Sequence, residues 1–298
     1  MSSIVIAAFY KFVELPDYQE RQRPLLDFCV SQAVRGSILL AAEGINGTIA
    51  GSRQGIDAVL AHLRQEAVFA SLTHKESHAD WMPFARMKVR LKQEIVNLGR
   101  PDITPNKRVG QYVPAAEWNA LISDPDVILV DTRNDFEVAL GTFKGAINPK
   151  TAAFNQFPDF VQQNLDPRRH KKVAMFCTGG IRCEKATAYM LEQGFAEVFH
   201  LQDGILKYLE QVPPEESLWE GNCFVFDERV TVDHQLQPAP LELCPMCKTA
   251  VEPHHRTSPL YELGVRCPTC ADTLTFEQIE RAREKQRQLE LAQARDLS

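Results

Sequence analysis

The stretch KKVAMFCTGGIRCEKATAYMLEQGF, residues 171–195, sets the tightest limit on the fold. Its run VAMF has no polar residue on either alternating face. As a strand it must be covered on both sides, the situation of a parallel sheet between helices. A glycine-containing loop follows, then a segment of helical character. Strand, loop and helix in that order predict a doubly wound α/β domain with its ligand site at the carboxyl end of the strand, where Cys177 stands. Between Cys177 and the next helix, Thr178, Gly179, Gly180, Ile181 and Arg182 can turn successive backbone N–H groups inward. Such a cradle lowers a thiol pKa and stabilises negative charge on or beyond sulfur. Gly179 and Gly180 allow the turn, and Arg182 supplies fixed positive charge. Cys183, at the helix start, either resolves an oxidised or persulfidated Cys177 or only packs there.

The strand-like segments DVILVDTR and EVFHLQDG extend this domain over residues 110–215. Residues 1–98 read β-α-β-β-α-β, the order of a ferredoxin-like (acylphosphatase-like) α+β sandwich. Asp17 and Ser52 are its expected helix N-caps, and Gly44, Asn46 and Gly47 its expected hairpin turn. Residues 99–109, with Pro101 and Pro105, read as a linker. Residues 216–275 read as a small zinc-knuckle module, and 276–298 as a charged, solvated C-terminal helix.

CPMC (Cys244, Cys247) and CPTC (Cys267, Cys270) are separated by nineteen residues. Each knuckle brings two thiolates to one tetrahedral ion, so the four predict a structural zinc with no open coordination position. A redox pair is the alternative for a lone C-x-x-C, and His254 and His255 are spare candidate ligands. There is no dinucleotide fingerprint, haem attachment motif or facial triad among the eight histidines, so no organic cofactor is evident. No apolar run approaches the roughly 18 residues of a membrane span. The N-terminus reads as a first strand rather than an export signal, which predicts a cytoplasmic protein whose eight cysteines serve metal binding or catalysis.

A net charge of −6 excludes a wholly basic nucleic-acid coat but not a local basic face. Residues 85–108 hold seven Lys/Arg against two acids. Within them Arg86, Lys88, Arg90 and Lys92 alternate with apolar residues, so one strand face carries all four cations. That face is either solvated or tracks phosphates, as RRHKK (168–172) also could. No obligatory protein partner is evident.

VDTRNDFEVALGTFKGAINP, MFCTGGIRCEKATAYM and HLQDGILKY resemble the successive signatures of a rhodanese domain. The resemblance implies that Cys177 carries a persulfide, and that Asp131 and Arg133, with Glu137, support the loop. Related phosphatases enclose phosphate in Cys-x5-Arg; the Cys-x4-Arg spacing here sets phosphate esters aside. Beyond that domain, AAEGINGTIAG, RMKVRLKQEIV, CTGGIRCEKA, NCFVFDERV and the paired cysteines occur in one order. Together they resemble the bacterial tRNA uridine 5-hydroxylase family over nearly the whole chain except the tail. This implies oxygen-dependent conversion of wobble uridine 34 to 5-hydroxyuridine, with molecular oxygen as co-substrate and a tRNA anticodon loop as partner. The residues offer one activated sulfur for that reaction: Cys177 either carries oxygen or adds to C6 of uracil. A sulfurtransferase using a Cys177 persulfide is the alternative, and a catalytically silent scaffold the third reading.

Overall fold

Residues 4–9 are apolar on both alternating faces, so the first strand buries Val5, Ala7 and Phe9 on one side and Ile6 on the other. The computed structural model describes residues 4–239, 241–251 and 253–296; residues 1–3, 240, 252, 297 and 298 of the segments expected above lie outside the described residues. The first elements are β1 (Ile4–Phe12), α1 (Tyr18–Ser31), β2 (Arg35–Ala41), β3 (Gly44–Gly51), α2 (Arg53–Arg64), β4 (His74–Ala79) and β5 (Met87–Leu91). The sheet order is β4-β1-β3-β2-β5. Its first four strands are antiparallel in the ferredoxin-like arrangement, and β5 is added parallel to β2. Val5, Ala7 and Phe9 of β1 pack with Ile38, Leu40, Ile45, Ile49 and Val89 against the buried faces of α1 and α2. The other sheet face bears Ile6, Ala8 and Tyr10 of β1 and turns toward the cleft described below.

Ser52 caps α2 as expected, its hydroxyl accepting the Gly55 N–H at 3.1 Å. Asp17 stands before α1 but makes no side-chain cap. Arg21, one turn on, takes both its carboxylate oxygens at 2.9 and 2.8 Å, so the ion pair displaces the cap. The hairpin turn also differs from expectation. Ala42 and Glu43 make the turn, and Gly44, Asn46 and Gly47 lie within β3. Gly44 has φ +138°, and a Cβ there would sit 2.0 Å from the Lys11 carbonyl, so the glycine serves close strand approach rather than chain reversal.

The second sheet forms from β6 (Gln111–Val113), α3 (Ala115–Ile122), β7 (Val127–Asp131), α4 (Asp135–Val138), β8 (Gly141–Phe143), α5 (Phe157–Asn164), β9 (Lys172–Phe176), α6 (Ile181–Glu192), β10 (Glu197–Leu201) and α7 (Gly204–Gln211). Strands β6, β10, β9 and β7 are parallel neighbours in that order. Successive β9 residues bury into opposite layers, as the apolar run required. Val173 and Met175 pack with Phe157, Tyr189 and Met190, whereas Ala174 and Phe176 pack with Trp118, Ile205 and Tyr208.

Residues 216–237 join this sheet's surroundings rather than the cysteine module with which the sequence grouped them. They supply β11 (Trp219–Gly221), β12 (Cys223–Phe224) and β13 (Thr231–Val232). Trp219 pairs with Phe143 of β8. Trp219, Cys223, Val225 and Val232 are buried in the same core as Phe143, and that apolar content holds the segment. Residues to Gln237 form one compact unit, and a second begins at Pro238. The second contains α8 (Pro253–Arg256), α9 (Phe276–Asp296) and the four paired cysteines. No helix among the described residues is long and apolar enough to cross a membrane.

Candidate active site

Cys177 leaves the end of β9 and is buried. The first turn of α7 holds the loop from behind: the N–H groups of Ile205 and Leu206 donate to the carbonyls of Cys177 and Thr178 at 3.0 and 3.2 Å. Gly180, at φ +97°, turns its N–H onto Cys177 Sγ at 3.1 Å. Burial by itself would push the Cys177 thiol up. The Cys183 thiol, the Arg182 guanidinium and the N–H groups of Cys183 and Gly180 outweigh it and bring the thiol down to about 6. These neighbours favour the Cys177 thiolate. Burial and the neighbouring Cys177 push Cys183 the other way, which favours its thiol form.

Arg182 forms a buried bidentate pair with Glu137 at 2.8 and 2.7 Å. Burial would raise the Glu137 carboxyl, but Arg182 and Arg133 hold it below the usual range. Asp131 and Arg133 pair with each other at 2.9 and 2.6 Å, and Arg133 also donates to the Gly141 carbonyl at 2.6 Å. Neither is among the cleft-lining residues. They tie the end of β7 to β8.

The ferredoxin-like sheet reaches this loop through residues that the sequence reading did not single out. Lys75 of β4 donates to the Gly179 carbonyl at 2.6 Å and lies 3.1 Å from Asp203. Tyr10 of β1 donates to Glu184 of α6 at 2.7 Å; burial raises the Glu184 carboxyl above its ordinary value. Lys185 is fully buried between Glu43 at 2.6 Å and Glu94 at 2.5 Å. Glu43 accepts the Ile95 N–H at 2.6 Å and Asn46 donates to the Ile95 carbonyl at 2.9 Å, so the hairpin holds the chain that follows β5. Arg229 pairs with Asp227 and donates to Ser77 of β4 at 2.9 Å. One signal was legible: a lysine within the otherwise apolar face of CEKATAYM requires buried carboxylates somewhere.

Between the open sheet face and the loop lies a cleft of about 790 Å³. Cys177, Thr178, Gly179, Ile181 and Arg182 line one side, and Ile6, Tyr10 and Leu39 are on the other. Phe226 also lines it, 63% exposed, with the Arg182 guanidinium 5.7 Å from its ring centre. Lys92 is at the cleft, and Lys88 and Arg90 stand in register with Ser37 and Leu39, hence on the same sheet face. Arg86, Arg90 and Lys92 are exposed and Lys88 is half-buried. RRHKK lies at the opposite end of β9, about 16 Å from Cys177 by strand length. Its Arg168 and Lys172 pair with Asp166 and Asp124.

In the second unit the sulfurs of Cys244, Cys247, Cys267 and Cys270 all lie within 4.8 Å of one another. Three Sγ–Sγ separations are 3.7, 3.5 and 3.9 Å. A tetrahedron with metal–sulfur bonds of about 2.3 Å has edges of about 3.8 Å, so the donor set fits a metal such as zinc. His254 and His255 are not in the cluster. Metal analysis of the purified protein is expected to find about one ion per chain, and Cys247→Ser to weaken its retention against a chelator.

A parallel sheet carrying a cradled thiolate in a Cys-x4-Arg loop defines a rhodanese-type domain, here behind a ferredoxin-like one. Residues 114–211 match the Rhodanese-like domain and residues 4–95 the UPF0176 acylphosphatase like domain. The tRNA uridine(34) hydroxylase of Picosynechococcus sp. is 56% identical over 288 residues, 97% of each chain. That of Teredinibacter turnerae is 56% identical over 292 residues, 98% of this chain and 91% of its own. The chain belongs to the tRNA uridine(34) hydroxylase family.

Proposed function

We propose that this chain hydroxylates C5 of the uracil at position 34 of tRNA, with Cys177 as the reacting group. The observation that carries the reading is a thiolate-favouring cysteine lining an open, largely apolar cleft that Lys92 also lines, with Lys88 and Arg90 on the same face of the opposing sheet. At about 790 Å³ the cleft is in the range of small-ligand sites, roughly 300–1,000 Å³, and suits one unstacked base of an anticodon loop. Phe226 offers that base a ring face, and such stacking contributes about 1–3 kcal/mol.

Thiolate addition to C6 of uracil moves the C5–C6 electron pair onto C5 and O4 as an enolate, the form in which C5 bonds to oxygen. With molecular oxygen as co-substrate, one atom enters the base and the other leaves as water, which takes two electrons and two protons from an external reductant. Loss of the C5 proton and departure of sulfur then restore the ring and Cys177. Arg182, locked by Glu137, is a fixed charge beside sulfur rather than a substrate ligand. Asp131 and Arg133 brace the loop. The four cysteines hold a structural zinc, and the reaction belongs to the cytoplasm, with tRNA.

Nucleoside analysis of tRNA from a deletion strain tests the reading: 5-hydroxyuridine derivatives are expected to disappear. Loss of thiolated nucleosides instead would establish the sulfurtransferase that the same cradle can support. The triple variant Lys88→Glu, Arg90→Glu, Lys92→Glu is expected to weaken tRNA binding and to flatten its log–log salt dependence by about 2. Unchanged binding would make this face a merely solvated one.

A further inference from the structure

We propose that Lys75 is a positioning residue for Cys177, acting through the peptide that joins Gly179 to Gly180. The inference rests on the reading of Cys177 as the reacting group. Lys75 Nζ donates to the Gly179 carbonyl at 2.6 Å, and the N–H at the other end of the same peptide, from Gly180, donates to Cys177 Sγ at 3.1 Å. A peptide unit is planar with its C=O and N–H opposed, so holding the oxygen aims the hydrogen. A cation on the oxygen also polarises the unit and strengthens its N–H as a donor to negative sulfur.

The loop itself holds the Gly180 carbonyl, which accepts from the Cys183 and Glu184 N–H groups, but among the described residues of the loop none holds the Gly179 carbonyl. With glycine on both sides, no side chain of the peptide's own residues restricts its orientation; a Cβ at Gly179 would meet nothing within 4 Å, whereas one at Gly180 would meet Tyr10 Oη at 3.0 Å. The anchor therefore comes from outside the loop, from a strand of the other sheet. Lys75 is itself held by Asp203 at 3.1 Å and lies 5.5 Å from the Tyr10 ring centre. Asp203 immediately precedes α7, whose first N–H groups hold the carbonyls of Cys177 and Thr178. Glu184 also faces Lys75, while Arg182, Cys183, Tyr10 and Glu184 face Cys177. Among these groups Lys75 is the one bound to the loop carbonyl whose peptide carries the donor to sulfur. The sulfur is thus fully prepared only when the two sheets are docked across the cleft.

The test is the rate of iodoacetamide alkylation of Cys177, followed by peptide mass spectrometry across pH on the full chain. In the wild type the rate should rise through a midpoint of about 6. Lys75→Met keeps the aliphatic stem and removes the charge. Its midpoint is expected to rise by about one pH unit, roughly tenfold less thiolate below both midpoints, with Lys75→Arg recovering part of the shift. An unchanged midpoint in folded Lys75→Met overturns the inference. Should that variant fail to fold, Lys75→Gln carries the same test: a raised midpoint supports the inference and an unchanged one overturns it. The assay contains no tRNA, so hydroxylation that survives loss of Cys177 would sink the proposed reaction without moving this result.

Discussion

Cys177→Ala is expected to lower 5-hydroxyuridine at position 34 by at least about a thousandfold, because among the described residues lining the cleft no other offers a nucleophile of comparable character. The measurement is mass spectrometry of nucleosides from a deletion strain carrying the variant. Cys177 is buried and small, so the alanine variant should fold, and a loss of product then reports chemistry. Full hydroxylation by this variant would end the reading. The pH dependence has a definite sign. The reactive form is the deprotonated one, so the wild-type rate should fall as pH drops through about 6 and level off above it. Cys183→Ala removes a thiol that favours the Cys177 thiolate and should move that midpoint upward while leaving hydroxylation in place at high pH.

Lys185→Met is expected to have the largest effect on stability. The ammonium is fully buried between Glu43 and Glu94, and its removal leaves two carboxylates without their cation. Breaking a buried pair in this way costs about 3–5 kcal/mol, read by urea unfolding. Burial already raises the Glu43 carboxyl above its usual value, and loss of Lys185 raises it further. The folded variant then binds a proton that the unfolded chain releases, so its stability declines as pH rises through the carboxylate range. The deficit should accordingly be larger at pH 8 than at pH 5. Adding Glu43→Gln and Glu94→Gln should recover much of it; a deficit independent of pH would show that lost packing, not uncompensated charge, destabilises the variant.

The same residues show why some features were legible in the chain and others were not. The VAMF run could only be a strand covered on both sides, and β9 buries alternate residues into two layers. The C-x-x-C spacing needed only local geometry to bring two sulfurs together, and the four sulfurs do cluster. The cradle was local too: Gly180 and Arg182 lie within five residues of Cys177. Where expectation and structure part, a contact distant in sequence or competing nearby decides. Gly44 left the turn because Lys11 of the neighbouring strand comes too close for a Cβ. Asp17 gave up its cap to Arg21. Residues 216–237 followed Trp219 into the core beside β8 rather than the cysteines.

By itself, the sequence determined the two α/β sheets, the thiol that follows β9, its cradle, the cysteine knuckles and the shared face of Lys88 and Arg90 on β5, because each depends on periodicity or spacing within a few residues. Only the tertiary structure decided what stands opposite that thiol. Lys75 lies 104 positions from Gly179 along the chain, Tyr10 lies 174 from Glu184, and Glu43 lies 142 from Lys185. Contacts of that separation leave no periodic trace in a single sequence. They exist because the open face of one sheet and the loop of the other fold against a shared cleft, where buried charges must find partners.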